Sequence, residues 1–239
     1  MIPKIIHYIW LGNNPIPKKI RKCIDSWKKV CPEYEIKFWN EQNLDLDKYQ
    51  YVKDAINAKK YAFASDVLRF DILSTYGGIY LDVDVKLLKP LDKFLNYKFF
   101  TGFENEKAIA PGLICGCEKD NIIAKKMLEY YSTADFATDI ERKETVCTII
   151  TSLLKDKYDI KIDNTTQIKE DVAIFSNDYF CPKDMDSRLI HKTKNTVSIH
   201  LYLASWMTGK YRFKQNIKEF LNVISFGLFG KWLKRRKSK

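Results

Sequence analysis

The stretch from Ser65 to Pro90 limits what this chain can fold into more than any other. A helix-forming run reaches Tyr76 and stops at Gly77-Gly78, and Ile79-Tyr80-Leu81 leads into Asp82-Val83-Asp84. Glycine accepts the left-handed turn past a helix C-terminus, and the three residues after the pair have strand character. Two carboxylates at the end of an apolar strand are costly unless positive charge meets them. A hard divalent cation such as Mg²⁺ or Mn²⁺ does so through carboxylate oxygens. Alternation along a strand predicts Asp82 and Asp84 on one side, with Val83 opposite.

A second charged pair precedes this one. Asp66 stands sixteen residues before Asp82, and Arg69 follows three residues later, both among Val67, Leu68, Phe70, Ile72 and Leu73. Residues three apart share a helix face. An internal ion pair is the plain reading. The functional one sets Arg69, a planar fork suited to anions, against a bound anion, with Asp66 beside it. The two are compatible, because an arginine can orient a carboxylate before substrate arrives.

The flanking segments predict an α/β chain. Ile2 to Trp10 reads as a strand, Pro17 to Val30 as an amphipathic helix with Ile20, Cys23, Ile24, Trp27 and Val30 on one face, and Tyr34 to Trp39 as a second strand. Strand, helix, strand in that order implies a parallel pair. Ligands sit outside the carboxyl ends of such strands. Trp10 there can stack on a base, and the amides of Asn40 and Asn43 can reach ribose or base. His7, inside the first strand, is structural. Further helices are expected at 54–60, 62–76, 122–131 and 144–154, and strands at 97–103, 108–117, 159–162, 172–175 and 196–203. Gly112 and Gly116 make turns or let a substrate approach the backbone.

Charge is concentrated at one end. The 239 residues carry a net +11, yet Lys210 to Lys239 holds ten Lys or Arg against Glu219 alone, leaving +2 for the first 209. Domain boundaries follow: a main α/β domain over 1–209 and a basic amphipathic segment over 210–239. Apolar residues from Phe213 to Leu233 interleave with that charge, which suits anionic lipid headgroups. Cys115-x-Cys117 reads as small core residues, and the six cysteines form no Cys-x-x-Cys pair. With no leader-like start, reduced thiols and a cytoplasmic location are expected, peripheral at the inner face of the membrane.

Ser65-Asp66-x-x-Arg69 followed by Gly77-Gly78-x-Tyr80-x-Asp82-x-Asp84 resembles glycosyltransferase family 32. That family of DXD sugar transferases includes yeast mannosyltransferases and bacterial capsule and polysaccharide enzymes. The run is also similar to the glucosylating domain of large clostridial toxins. The resemblance covers about the first hundred residues well. It implies a GT-A type, Rossmann-like nucleotide-sugar-binding domain with a mostly parallel central sheet and a C-terminal helix. It implies a metal-dependent hexosyltransferase that uses a UDP- or GDP-linked sugar (UDP-Gal, UDP-Glc or GDP-Man) and retains anomeric configuration, with a glycan or lipid-linked glycan as acceptor. Catalytic roles fall to Asp66, Arg69, Asp82 and Asp84. The donor would be bordered by Ile9, Trp10, Tyr80, Asp82, Ser205 and Trp206. Mn²⁺ or Mg²⁺ would sit on Asp84 with His200, and Asp82 would reach it through water while touching ribose or sugar. Alone, His200 reads first as a core strand residue.

Three other readings carry their own signatures. A phosphate-transferring enzyme would need a Gly-x-x-x-x-Gly-Lys-Ser/Thr loop, which the sequence lacks. A nucleic-acid binder would rest on the basic tail alone. A protein-modifying glucosyltransferase would need room for protein recognition beyond this single domain.

Overall fold

The structure, a computed structural model, describes residues 1–203, 217–218, 221–222, 224–225 and 227–237. Ser205 and Trp206 lie outside the described residues, as does the 209/210 boundary. The chain opens with strand β1 (Ile5–Ile9), helix α1 (Lys18–Val30), strand β2 (Glu35–Trp39) and helices α2 (Gln50–Asn57) and α3 (Tyr61–Tyr76). Strands β3 (Gly78–Tyr80), β4 (Val85–Leu87), β5 (Phe99–Asn105), β6 (Ala108–Ile109) and β7 (Cys115–Cys117) follow. Helices α4 (Ile122–Thr133), α5 (Phe136–Arg142) and α6 (Val146–Tyr158) lead to β8 (Gln167–Lys169), β9 (Val172–Phe175), α7 (Asn177–Phe180), β10 (Ser198–His200) and α8 (Leu228–Lys237).

The main sheet has the order β2-β1-β3-β7-β5-β9-β8, with β6 beside β5, and β10 pairs with β4 in a separate ribbon. Strands β2, β1, β3, β5 and β9 run one way, and β7 and β8 run against them. The mostly parallel sheet expected from the sequence is therefore present, with β7 reversed in its middle.

Alternate strand residues serve two cores, one on each face. Tyr80, Phe99 and Phe103 join α3, α4 and α6 on one side, where Leu68, Phe70, Met127 and Ile150 pack. Ile79, Leu81 and Phe100 join α1 on the other, with Trp27, Phe94 and Phe180. Each such large apolar side chain contributes roughly 1.5–3 kcal/mol on burial. Helix α1 buries Ile20, Cys23, Ile24 and Trp27, the stripe read from its spacing. Its Trp27 Nε1 donates to the Val85 carbonyl at 2.7 Å, tying α1 to β4.

At the junction of α3 and β3 the backbone has positive φ twice, +65° at Gly77 and +100° at Gly78. A Cβ on Gly77 would stand 2.6 Å from the Lys119 nitrogen, and one on Gly78 2.8 Å from His7 Nε2. Both positions therefore require glycine, and helix passes into strand without a loop. His7 is fully buried: Trp39 Nε1 donates to its Nδ1 at 3.1 Å, and Nε2–H donates to the Gly77 carbonyl at 2.9 Å. It is structural, as expected.

Several expectations need correction. Residues 159–162 form no strand; Asp159, at φ +49°, ends α6 in a left-handed cap. The expected strand 108–117 is two short strands with a loop between them. Helix α5 and strand β8 were not anticipated. Asn40 and Asn43 close their own turn: the Asn40 N–H donates to Asn43 Oδ1, the Gln42 N–H to Asn40 Oδ1 and Asn43 Nδ2 to the Phe38 carbonyl. Among the described residues no helix is long and apolar enough to cross a membrane.

Candidate active site

Asp82-Val83-Asp84 is a turn, not the end of a strand, and the alternation argument fails there. The Val85 N–H donates to the Asp82 carbonyl at 3.0 Å, and the Asp82 N–H donates to the Gly112 carbonyl at 2.9 Å. The turn sends the two carboxylates to different partners, yet they remain close enough for the charge on Asp84 to raise the pKa of Asp82.

Asp82 faces α3. Arg69 Nη2 lies 2.7 Å from Asp66 Oδ1 and 3.5 Å from Asp82 Oδ1. The guanidinium is held from behind: its Nε donates to the Ser65 carbonyl, and its Cζ sits 4.7 Å from the centroid of the Tyr80 ring. Arg69 is only 3% exposed, whereas the Asp82 side chain keeps 32% of its surface in solvent. A buried cation thus stands beside one partly exposed carboxylate. Burial pushes the Asp66 carboxyl up to about 7, against the pull of Arg69. Burial likewise raises Asp82, with Arg69 opposing.

Asp84 is clamped from the other side. Its Oδ1 lies 2.9 Å from His200 Nε2, and its Oδ2 accepts the Leu203 N–H at 2.8 Å. Its backbone carbonyl accepts the Leu201 N–H at 3.0 Å. Burial works against the charge on Asp84, but His200 and these hydrogen bonds hold its pKa below the usual carboxylate value. Burial disfavours the His200 imidazolium too, yet Asp84 outweighs it and the pKa stands well above 6.5. In this arrangement His200 is the hydrogen-bond partner of Asp84.

Trp10 and Ile9 come to the same edge. His7 pairs with Tyr80 across β1 and β3, so the residues just past each strand leave the sheet side by side. Ile9 is buried and contributes backbone, while Trp10 is half-buried with its Nε1 donating to the Asn14 carbonyl at 2.6 Å. The adjoining turn contains Gly12, at φ +96°, whose N–H donates to Glu41. The sequence reading missed this Glu41 contact and the position of Gly112 beneath Asp82. A glycine in a loop carries no signal of what it approaches.

Among the described residues no three His, Cys, Asp or Glu groups are gathered into a metal cage. Two carboxylates at one turn nevertheless fit a hard cation that takes its remaining ligands from substrate phosphates. Asp82 and Asp84 are the residues that would hold it.

A mixed, mostly parallel α/β sheet whose edge presents this acidic turn and a buried arginine defines the GT-A class of glycosyltransferase fold. Residues 17–100 match the family profile described as a glycosyltransferase sugar-binding region containing the DXD motif. This stretch is therefore similar to the sugar-binding region of that glycosyltransferase family. It is 35% identical over 106 residues to an uncharacterised glycosyltransferase of Acanthamoeba polyphaga mimivirus, covering 42% of each chain. It is 36% identical over 104 residues to inositol phosphoceramide mannosyltransferase 3 of Schizosaccharomyces pombe, covering 40% of this chain and 28% of that one. The chain therefore spans well under half the length of these relatives. Among solved structures, the PaToxG glycosyltransferase superposes with a TM-score of 0.51 at 24% identity, over 65% of this chain and 70% of that one, a likeness of fold.

Proposed function

We propose that this chain is a metal-dependent, retaining hexosyltransferase that moves a hexose from a nucleotide sugar to a glycan or lipid-linked acceptor in polysaccharide or capsule assembly. The observation that carries the reading is Arg69, buried and shared between Asp66 and Asp82, beside an Asp84 whose two oxygens are both held. GDP-mannose, UDP-glucose and UDP-galactose are the candidate donors. Several relatives, the inositol phosphoceramide mannosyltransferases of Schizosaccharomyces pombe, favour mannose and a lipid-borne acceptor.

Asp66 would hydrogen-bond sugar hydroxyls while Arg69 keeps it in place. Asp82, free to swing at the cleft, would meet the ribose or sugar. Trp10 would stack on the base, with Ile9 and Tyr80 shaping the floor of the pocket. Ser205 and Trp206 would border the diphosphate. A Mn²⁺ or Mg²⁺ ion held by Asp82 and Asp84 supplies positive charge for the departing diphosphate. His200 would hold Asp84 in its ligating orientation. The basic segment 210–239 would place the enzyme at an anionic membrane surface, where a lipid-linked acceptor is presented.

The test is turnover of UDP- and GDP-sugars with Mn²⁺, read as nucleotide release, for wild type, Asp82→Asn and Asp84→Asn. Both variants should lose at least about 100-fold in kcat, in the range of a lost transition-state contact, while melting like wild type. Full activity in either folded variant would sink the assignment.

A further inference from the structure

Glu104 stands near the end of β5, on the same sheet edge as the acidic turn. Tyr80 and Thr101 both pair with Cys115, from opposite sides of β7. Asp82, two residues past Tyr80, and Glu104, three past Thr101, therefore emerge at similar height. Their parent strands are two spacings apart, about 10 Å. The loop that lends the Gly112 carbonyl to Asp82 joins β6 to β7, the strand lying between those parents.

The Glu104 carboxylate is half-buried and is held by a neutral phenol. The Tyr202 hydroxyl donates to Glu104 Oε1 at 3.0 Å. The same hydroxyl lies 3.0 Å from Cys181 Sγ, and with the phenol proton on the glutamate side the thiol is the donor to the phenol oxygen. Cys181 is 2% exposed, so this relay is rooted in the core.

Tyr202 belongs to the segment that clamps Asp84. The Leu201 and Leu203 N–H groups both bind Asp84, and Tyr202 between them has φ +52°. A non-glycine residue in that region is strained and persists where its surroundings enforce it. Here the Tyr202 ring packs 4.2 Å from the ring of His200, and Arg188 Nη2 donates to the carbonyls of Leu201 and Tyr202. One three-residue strap thus fixes the acidic turn through its backbone and Glu104 through its side chain.

We propose that Glu104 receives the acceptor: Oε1 is held by Tyr202, and Oε2 accepts a hydrogen bond from the attacking hydroxyl and then its proton. This rests on the glycosyl-transfer reading above. The hydroxyl oxygen bonds to the anomeric carbon on the face the diphosphate leaves, and the bond from that carbon to the diphosphate oxygen breaks. Its electron pair leaves with the nucleoside diphosphate, and the hydroxyl proton goes to Glu104. Asp66 and Asp82 lie against Arg69, and Asp84 against His200, whereas among the described residues Glu104 is held by a phenol and not by a cation. Tyr202 is a positioning residue.

The experiment uses the full chain with UDP-glucose, UDP-galactose and GDP-mannose as donors, and with methyl hexosides and phosphatidylinositol vesicles as acceptors. Glu104→Gln should lower kcat for transfer about 100-fold, as expected for a lost general base. Its Kd for UDP or GDP by calorimetry should stay within about twofold, because the donor does not touch Glu104. Tyr202→Phe keeps the ring and the strap. It should lower kcat about tenfold without raising the donor KM, and it carries the test if Glu104→Gln fails to fold. Wild-type kcat in these variants, or nucleotide binding that weakens in step with kcat, overturns the assignment of Glu104. A wild type that transfers no sugar to either acceptor class removes the glycosyl-transfer reading along with it.

Discussion

Gly112→Ala tests whether the site depends on where Asp82 is held. A Cβ at Gly112 would stand 2.1 Å from Asp82 Oδ2, 2.9 Å from its Cγ and 3.1 Å from Arg69 Nη1. The backbone there does not have positive φ, so alanine brings no conformational strain. To regain ordinary contact near 3.4 Å, Oδ2 must retreat by about 1.3 Å. Arg69 is buried and cannot yield, whereas Asp82 keeps 32% of its side-chain surface in solvent and can swing outward. A misplacement of about 1 Å at a reacting centre can cost about 100-fold in rate. Stability should barely move: the loosened Arg69 contact is worth at most about 1 kcal/mol, and Gly→Ala returns about 0.4–1 kcal/mol through the unfolded chain. The melting temperature should therefore stay within about 3 °C, while kcat for nucleotide release falls about 100-fold. Gly116→Ala is the control. Its Cβ would stand 2.1 Å from Cε1 of fully buried Phe100, an overpacking worth about 1–3 kcal/mol. That variant should melt lower, and its folded fraction should keep its activity. Unchanged kcat in Gly112→Ala, or a melt as low as that of Gly116→Ala, would refute the reasoning.

Other outcomes follow from buried groups. Burial lowers His7 to about 4, so its neutral form stabilises the fold in full above its unfolded pKa of 6.5. That contribution is lost as pH falls from 6.5 towards 4, a total of about 3 kcal/mol. Urea titrations at pH 7 and pH 4 should show the loss, and His7→Asn should flatten the slope between pH 6.5 and 5; an equal slope in the variant refutes it. Burial pushes the Cys23 and Cys115 thiols up to about 12. Neither should be alkylated at pH 8 until urea opens the fold, and peptide mapping that found rapid labelling of either in the native chain would contradict the packing. A chelator should abolish sugar transfer and Mn²⁺ should restore it, whereas transfer that persists in excess chelator removes the cation from the reading.

The sequence revealed the elements because local chemistry dictates them. The apolar stripe of α1, the glycine pair after α3 and the run Val172–Phe175 each announce an element without tertiary help. It also exposed Asp66, Arg69, Asp82 and Asp84, since charges among apolar residues are conspicuous. It misread how the acidic pair is presented. Strand periodicity assumes extended backbone, and the hydrogen bond from Val85 to the Asp82 carbonyl folds that backbone into a turn. The partners of the pair were hidden for a different reason. Gly112 is thirty residues from Asp82 and Tyr202 is 98 from Glu104; only the reversed strand β7 and the return of β10 beside β4 bring them to one edge. A contact set by sheet order has no periodicity to read. This also explains why the two carboxylates behave differently. Asp82 is held by a side chain from a helix next to it in sequence, and it remains partly exposed and movable. Asp84 is held by a strap more than a hundred residues away, with both oxygens engaged. Local chemistry positions the carboxylate left partly exposed, and long-range topology fixes the one whose two oxygens are both engaged.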